Sequence, residues 1–172
     1  MKLKIKVKLF NPDCKFEFID KGEWIDLKAS EDVTLNPPFA NTLNSNRKSR
    51  DVEFKSALIP LGIGMQLPKG IEAILAPRSS TFKNFGILQT NHIGIIDSSY
   101  SGPNDEWKYP VVAIRKSMPK KGDKICQFRI QLSQKATVWQ KIKWLFTSKI
   151  EFEFVDNYEG VDRGGFGSTG IK

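Results

Sequence analysis

The stretch His92–Gly102 reads HIGIIDSSYSG, and its reading decides the fold. Ile93, Ile95 and Ile96 surround Gly94, and the apolar run stops at Asp97-Ser98-Ser99, just before Tyr100. An apolar run that breaks at Asp-Ser-Ser predicts a strand forming the first arm of a β-hairpin. A single carboxylate is costly to bury among carbon, so Asp97 belongs at a mouth or a cleft, or else is an ordinary turn residue. These eleven residues alone leave both readings open.

The flanking sequence extends the β pattern. Val52–Ala76 carries short strand-like runs broken by Pro60, Gly62, Gly64, Pro68 and Gly70, a spacing that predicts an all-β barrel or sandwich. Lys2–Phe10, KLKIKVKLF, has period two, with Leu3, Ile5, Val7 and Leu9 on one face and lysines on the other. It predicts a half-buried strand whose lysines blunt an exposed edge. In Lys21–Ser30, KGEWIDLKAS, Asp26 alternates away from Ile25 and Leu27, toward solvent or a site. Tyr109–Arg115 and Ile150–Asp156 read as further strands, and Lys121–Ile130 as a turn entering one. Asn36–Asp51 is rich in Pro, Asn and Ser and predicts an inserted loop. Ala136–Lys149 has the only helical spacing found, with Trp139, Ile142 and Phe146 on one side among lysines. A helix over 138–148 that packs on its own barrel, or meets a membrane surface or a partner, fits it.

Composition narrows the function. A chain of 172 residues with 40% hydrophobic and 27% charged residues predicts one soluble domain with its own core. No apolar run approaches the ~20 residues that span a bilayer, so no membrane partner is expected. The lysine-alternating start has no signal-peptide core, and Cys14 and Cys126 predict free thiols in a reducing, cytoplasmic setting. One histidine and two distant cysteines draw no zinc site of ordinary spacing. The net charge of +8 points to an anionic partner. Aromatic-basic RNA motifs are absent and the lysines are spread, so no specific nucleic acid is expected.

Two short motifs could meet that anion. Ala76–Phe82, APRSSTF, sets Arg78 beside the Ser79 and Ser80 hydroxyls, as a phosphate cradle or a capped turn. The tail Asp162–Gly170, DRGGFGSTG, cannot build a core. It is either a disordered terminus or a flexible arm that closes over a ligand, with Phe166 stacking on a ring and Arg163 meeting a charge.

Taken in order, IDLKA at Asp26, PRSS at Arg78, GIIDSSYSG at Asp97, KGDKICQ at Gln127 and the terminal RGGFGSTG resemble the five motifs of the trimeric dUTPase family, in its Gram-positive bacterial and phage branch. The resemblance implies a jelly-roll-like β-barrel over residues 1–155, with insertions near 36–51 and 138–148, and an arm over 156–172 that closes over a neighbouring site. It implies a homotrimer with shared sites, in which the Asp97 hairpin and the tail come from different subunits. It also implies hydrolysis of dUTP to dUMP and pyrophosphate, which limits uracil in DNA and supplies dUMP for dTMP synthesis.

Carried over residue by residue, the resemblance makes Asp97 the group that activates water for attack on the α-phosphate. Asp26 would hold Mg²⁺ through its waters. Arg78, Ser79, Ser80 and Gln127 would donate to phosphate oxygens. Asn91 and the backbone of Gly94, Ile95 and Ile96 would read uracil, and Tyr100 would pack under the deoxyribose. Phe166 would cover the base, while Arg163, Gly167, Ser168 and Thr169 would close on the phosphates. Two alternatives share the fold: a dCTP deaminase or bifunctional enzyme, for which Glu106 is the nearest candidate proton carrier, and a regulatory protein that binds a protein partner.

Overall fold

The lysine-alternating N-terminus forms β1 (Lys2–Leu9), with Ile5 and Val7 fully buried and Lys2, Lys4 and Lys6 outward. The computed structural model describes residues 2–18, 22–40, 52–147 and 149–165. After a short 3-10 turn at Pro12–Cys14 come β2 (Ile25–Lys28), β3 (Phe39–Ala40), β4 (Val52–Glu53), β5 (Ser56–Pro60), β6 (Ile63–Gln66) and β7 (Ile71–Pro77). Helix α1 (Thr81–Phe85) leads to β8 (Ile87–Gln89), β9 (Gly94–Asp97), β10 (Lys108–Ala113) and β11 (Lys124–Leu132). Helix α2 (Val138–Leu145) precedes β12 (Lys149–Val155). No described helix is long and apolar enough to cross a membrane.

The strands form sheets ordered β12-β1-β6, β5-β10-β8 and β2-β11-β7-β9, with a small β3-β4 ribbon. The all-β architecture expected from the strand spacing is present, in the jelly-roll-like form that the family resemblance implies. β1 differs from expectation: it is central, parallel to β12 on one side and antiparallel to β6 on the other, so its lysines cover no edge. β9 also differs. Its ladder partner is the preceding β7, not a strand that follows it, so Asp97 ends an edge strand rather than a hairpin arm.

A five-residue helix, α1, escaped the period count because it is barely longer than one turn; Gly86, at φ 62, supplies its left-handed C-terminal stop. The 138–148 helix is present over Val138–Leu145, closed by a Thr137–Gln140 capping box, and none of its residues is buried. Of the 36–51 loop, residues 36–40 lead into and form β3, and 41–51 lie outside the described residues.

The core fills with Ile5, Leu27, Ile59, Ile63, Leu75, Trp107, Tyr109 and Phe128. Phe128 meets Phe16 and Trp107 edge-to-face, each with ring centroids 5.4 Å apart. Cys14 and Cys126 are free and buried, and burial pushes both thiols up. Phe128→Ala is expected to cost about 3–5 kcal/mol, because the surrounding sheets cannot collapse into the void. Urea melts of wild type and variant check it through a lowered midpoint at unchanged slope.

Candidate active site

Three of the expected motifs meet on adjacent strands. In β2, Ile25 and Leu27 point inward and Asp26 points away. Asp26 stands opposite Gln127 of β11, and Gln127 stands opposite Ala76 of β7, two residues before Arg78. Arg78 Nε donates to Asp26 Oδ1 at 2.7 Å, and Lys124 Nζ lies 3.5 Å from Oδ2. The Asp26 side chain is only 12% exposed. Gln127 Nε2 donates to the Pro77 carbonyl at 3.0 Å. An open cleft of about 380 Å³ beside this cluster is lined by Lys15, Lys28 and Lys124 together with Asp26. The cleft also carries Glu17, but three lysines outnumber its two carboxylates, and Asp26 is already ion-paired, a balance that suits a polyphosphate.

The Arg78 turn is fixed from below. Thr81, 1% exposed, accepts the Arg78 backbone N–H at 2.9 Å and donates its hydroxyl to the Ile125 carbonyl at 2.9 Å. Thr81 therefore ties the start of α1 to β11. Ser80 is the N-cap of α1 but makes no side-chain cap bond, and Ser79 beside it is exposed, so both hydroxyls lie in the turn next to Arg78.

Asp97 builds a second cluster. Its Oδ1 accepts the Ser99 backbone N–H at 2.8 Å and the Ser99 hydroxyl at 2.5 Å, and Arg163 Nη1 lies 3.6 Å away. Arg163 also donates to the Ser99 hydroxyl oxygen at 2.7 Å. Asp97 Oδ2 has no such partner among the described residues, and the side chain is 48% exposed. The Ser99 hydrogen bonds, with the Arg163 charge, outweigh burial and hold the Asp97 carboxyl below the usual aspartate range. The carboxylate is thus the form present at neutral pH.

The route to β9 is a tight turn. His92 is left-handed at φ 54, and the Ile93 N–H reaches back to the Asn91 carbonyl. Asn91 is exposed, with its Oδ1 accepting from Gln89 Nε2 at 2.8 Å. Gly94 is buried, and a Cβ there would come within 3.1 Å of Leu75. Ile96 is half-buried, whereas Ile95 is 66% exposed on the edge strand. Tyr100 packs its ring on the core and donates its hydroxyl to the Glu106 carbonyl at 2.7 Å. Glu106 turns its own carboxylate to the Gly62 N–H at 2.9 Å.

The C-terminal segment from Asp156 to Gly165 lies against its own subunit. Tyr158 is buried, and Gln66 donates to the Glu159 carbonyl at 2.7 Å. Asp162 accepts from Asn104 twice, each at 2.8 Å. Asp105, 3% exposed, receives the backbone N–H groups of Gly102 at 2.9 Å and of Arg163 and Gly164 at 3.1 Å. This latch sets the Arg163 guanidinium beside the Asp97 of the same chain. The tail motif thus does not stand wholly apart from its own hairpin loop: its root is held in cis. Phe166, Gly167, Ser168 and Thr169 lie outside the described residues.

One separation organises these parts. Asp97 stands opposite Glu72, at the start of β7, whereas Arg78 follows the end of β7 at Pro77. About six residues of extended strand are roughly 20 Å, so one chain holds two half-sites and does not close them on each other. Asp26, Arg78, Ser79, Ser80 and Gln127 come together at one end; Asp97, Tyr100 and Arg163 come together at the other; Gly94, opposite Leu75, and Asn91 before it lie back along β9, toward the Arg78 end of β7. Lys124, Thr81, Ser99 and Asp105 are the residues that the motif reading missed.

Comparison with known proteins shows the family. The dUTPase family model matches residues 24–170. The chain belongs to the dUTPase family. The SPβ prophage-derived deoxyuridine 5'-triphosphate nucleotidohydrolase YosS of Bacillus subtilis is 42% identical over 172 residues, which cover all of both chains. Among solved structures, the dUTPase of Streptococcus mutans superposes with a TM-score of 0.60 at 17% identity, over 74% of this chain and 94% of that one. A mutant dUTPase from phage phi11 of S. aureus, described for its coordination of a structural Mg(II) ion, has a TM-score of 0.57 at 15% identity, over 78% and 94%. At these identities the solved structures speak for the fold.

For a dUTPase with this latch, the arm root is expected to come loose when Gly102 gains a side chain. A Cβ at Gly102 would lie 2.5 Å from Asp162 Cα. Gly102→Ala and Asp105→Asn are both expected to speed proteolytic cleavage after Gly160 several-fold while leaving the barrel's melting cooperative. Timed digestion with mass analysis of the fragments checks this.

Proposed function

We propose that this dUTPase hydrolyses dUTP to dUMP and pyrophosphate in sites assembled between subunits of a homotrimer. The observation that carries the reading is Asp97: an ionised carboxylate with Oδ1 tied to Ser99 and Oδ2 left open, at the mouth of an edge strand. The names of its relatives support the substrate, YosS above all.

In this mechanism Asp97 Oδ2 accepts a proton from a water molecule as the water oxygen attacks the α-phosphorus. The bond from the α-phosphorus to its bridging oxygen breaks, and the electron pair leaves with pyrophosphate. Ser99 holds Oδ1 so that Oδ2 keeps one direction. Arg78, Ser79, Ser80 and Gln127 of another subunit donate to the phosphate oxygens, where charge grows in the transition state. Tyr100 gives the sugar a flat wall, and the arm brings Arg163, Phe166, Gly167, Ser168 and Thr169 over the ligand.

Among the described residues no group of three His, Cys, Asp or Glu side chains could hold a metal ion, and both Asp26 oxygens face cations. Asp26 would therefore hold magnesium through the ion's waters and not directly. Bound there, the ion would offset phosphate charge.

The deaminase alternative needs a free carboxylate beside the base. Glu106 is half-buried and commits Oε1 to the Gly62 N–H of its own barrel, and burial raises its pKa. That places it in the barrel's own support.

Asp97→Asn is expected to lower kcat for dUTP by at least about 10²-fold while leaving dUTP affinity within a few-fold of wild type. Pyrophosphate release together with calorimetric titration checks it, and normal turnover sinks the assigned base. Because the Asp97 pKa is depressed, protonation removes the base only at low pH. The acid limb that Asp97 imposes on kcat/KM is expected below the ordinary aspartate range. Shared sites have their own test: mixing inactive Asp97→Asn subunits with inactive Arg78→Ala subunits, after dissociation and reassembly, restores pyrophosphate release. No restoration in mixed trimers counts against subunit sharing.

A further inference from the structure

The amide of Asn91 can face a base either way round, as donor or as acceptor, and something must choose. We infer that Gln89 makes that choice, and that it is a positioning residue for discrimination between uracil and cytosine. The inference rests on the reading of the Asn91–Ile96 edge as the base pocket.

One group beside Gln89 has no freedom of orientation. The Leu75 carbonyl on β7 can only accept, and Gln89 Nε2 donates to it at 3.3 Å. That contact fixes which end of the Gln89 amide is nitrogen. The same Nε2 donates to Asn91 Oδ1 at 2.8 Å. Asn91 Oδ1 is therefore committed to Gln89, and its other end, the Nδ2 donor, is the end left for a ligand.

The arrangement carries a cost that points the same way. Gln89 Oε1 is buried without a hydrogen-bond partner among the described residues. An orphaned buried oxygen costs stability, about 1–3 kcal/mol in general. Turning the amide over would instead bring Oε1 against both the Leu75 carbonyl and Asn91 Oδ1, so the observed orientation is the better of two imperfect ones. Gly94 supports the placement, because a Cβ there would crowd Leu75 at 3.1 Å and approach Gln89 Nε2 at 3.6 Å.

A fixed Nδ2 donor suits uracil. The O4 of uracil accepts a hydrogen bond, whereas the amino group on C4 of cytosine donates one. A donor held toward that position rewards dUTP and leaves dCTP with two donors face to face.

Gln89→Glu tests the inference, with Gln89→Leu as a second variant. An ionised carboxylate at position 89 can only accept, so Asn91 must turn its Nδ2 toward that carboxylate and present Oδ1 to the base. The expected result is a crossing pattern. For Gln89→Glu, kcat/KM for dUTP falls by roughly tenfold or more while kcat/KM for dCTP, measured as pyrophosphate release, rises. Gln89→Leu, which removes the tie without imposing the opposite one, loses several-fold on dUTP and gains less on dCTP. A merely structural role for Gln89 would lower both substrates together. That outcome, or unchanged kinetics on both, overturns the inference while the diphosphatase reading stands. Should Gln89→Glu fail to fold, the Gln89→Leu ratio decides alone. A wild type that releases no pyrophosphate from dUTP overturns the activity reading, and this inference with it.

Discussion

β7 is a ruler. Its register on β9 puts Asp97 opposite Glu72, and its far end releases the chain into the Arg78 turn. Strands inside a sheet are stiff, since bending one breaks ladder bonds on both sides, and β7 is bonded to both β9 and β11. The Asp97 carboxylate and the Arg78 guanidinium are thus held roughly 20 Å apart within one chain. No side-chain motion closes such a gap. If the two act on one triphosphate, the missing half must come from another copy. The subunit boundary through the proposed site is then a consequence of strand register.

The acidic residues near the two half-sites show how that division is used. Asp26 faces two cations, Glu106 caps a backbone N–H of its own barrel, and Asp105 is saturated by three backbone N–H groups. Asp97 and Glu106 each keep one oxygen without a partner among the described residues, and of the two Asp97 is the one that ends the edge strand, beside Arg163. A carboxylate is useful as a base when it is ionised, oriented and incompletely satisfied. The Ser99 bonds supply the first two conditions by loading one oxygen alone. The same loading weakens the base by lowering its pKa, so orientation, rather than basicity, is what this environment provides.

Much of this was readable where the physics is local. Alternation in β1 and β2 correctly separated Ile5 and Leu27 from the lysines and from Asp26, because burial has a period of two in a strand. The family motifs named Arg78, Gln127 and Asp97. What escaped was set by distant pairing. β1 reads as an edge strand because its lysines look protective, yet β12, from the far end of the chain, covers that side. Lys124 was missed for a sharper reason. Strand alternation puts positions 124 and 127 on opposite faces, but the register shift between Lys124 and Cys126 returns both to the Asp26 face. Thr81, Asp105 and Gln89 act through bonds to residues 44, 58 and 14 positions away, and no local pattern announces such partners.

The edge position of β9 completes the logic of base reading. An unpaired edge is usually a hazard, because it offers alternating N–H and C=O groups to any passing strand. Here the edge is only four residues long and opens beside the Asn91 turn. Uracil presents acceptor, donor, acceptor along O2, N3 and O4, which is the complement of a donor, acceptor, donor row. A strand edge naturally offers an N–H, a C=O and, two residues on, another N–H or a side chain in its place. Cytosine differs from uracil at both N3 and C4, so a row matched to uracil fails against cytosine twice. In the proposed pocket, backbone would supply the part of that row that mutation cannot alter, and Asn91 the part that can turn. A side-chain amide is symmetric in shape and opposite in chemistry at its two ends, so its orientation needs a second residue to fix it. Selectivity in such a pocket is only as firm as that anchoring bond.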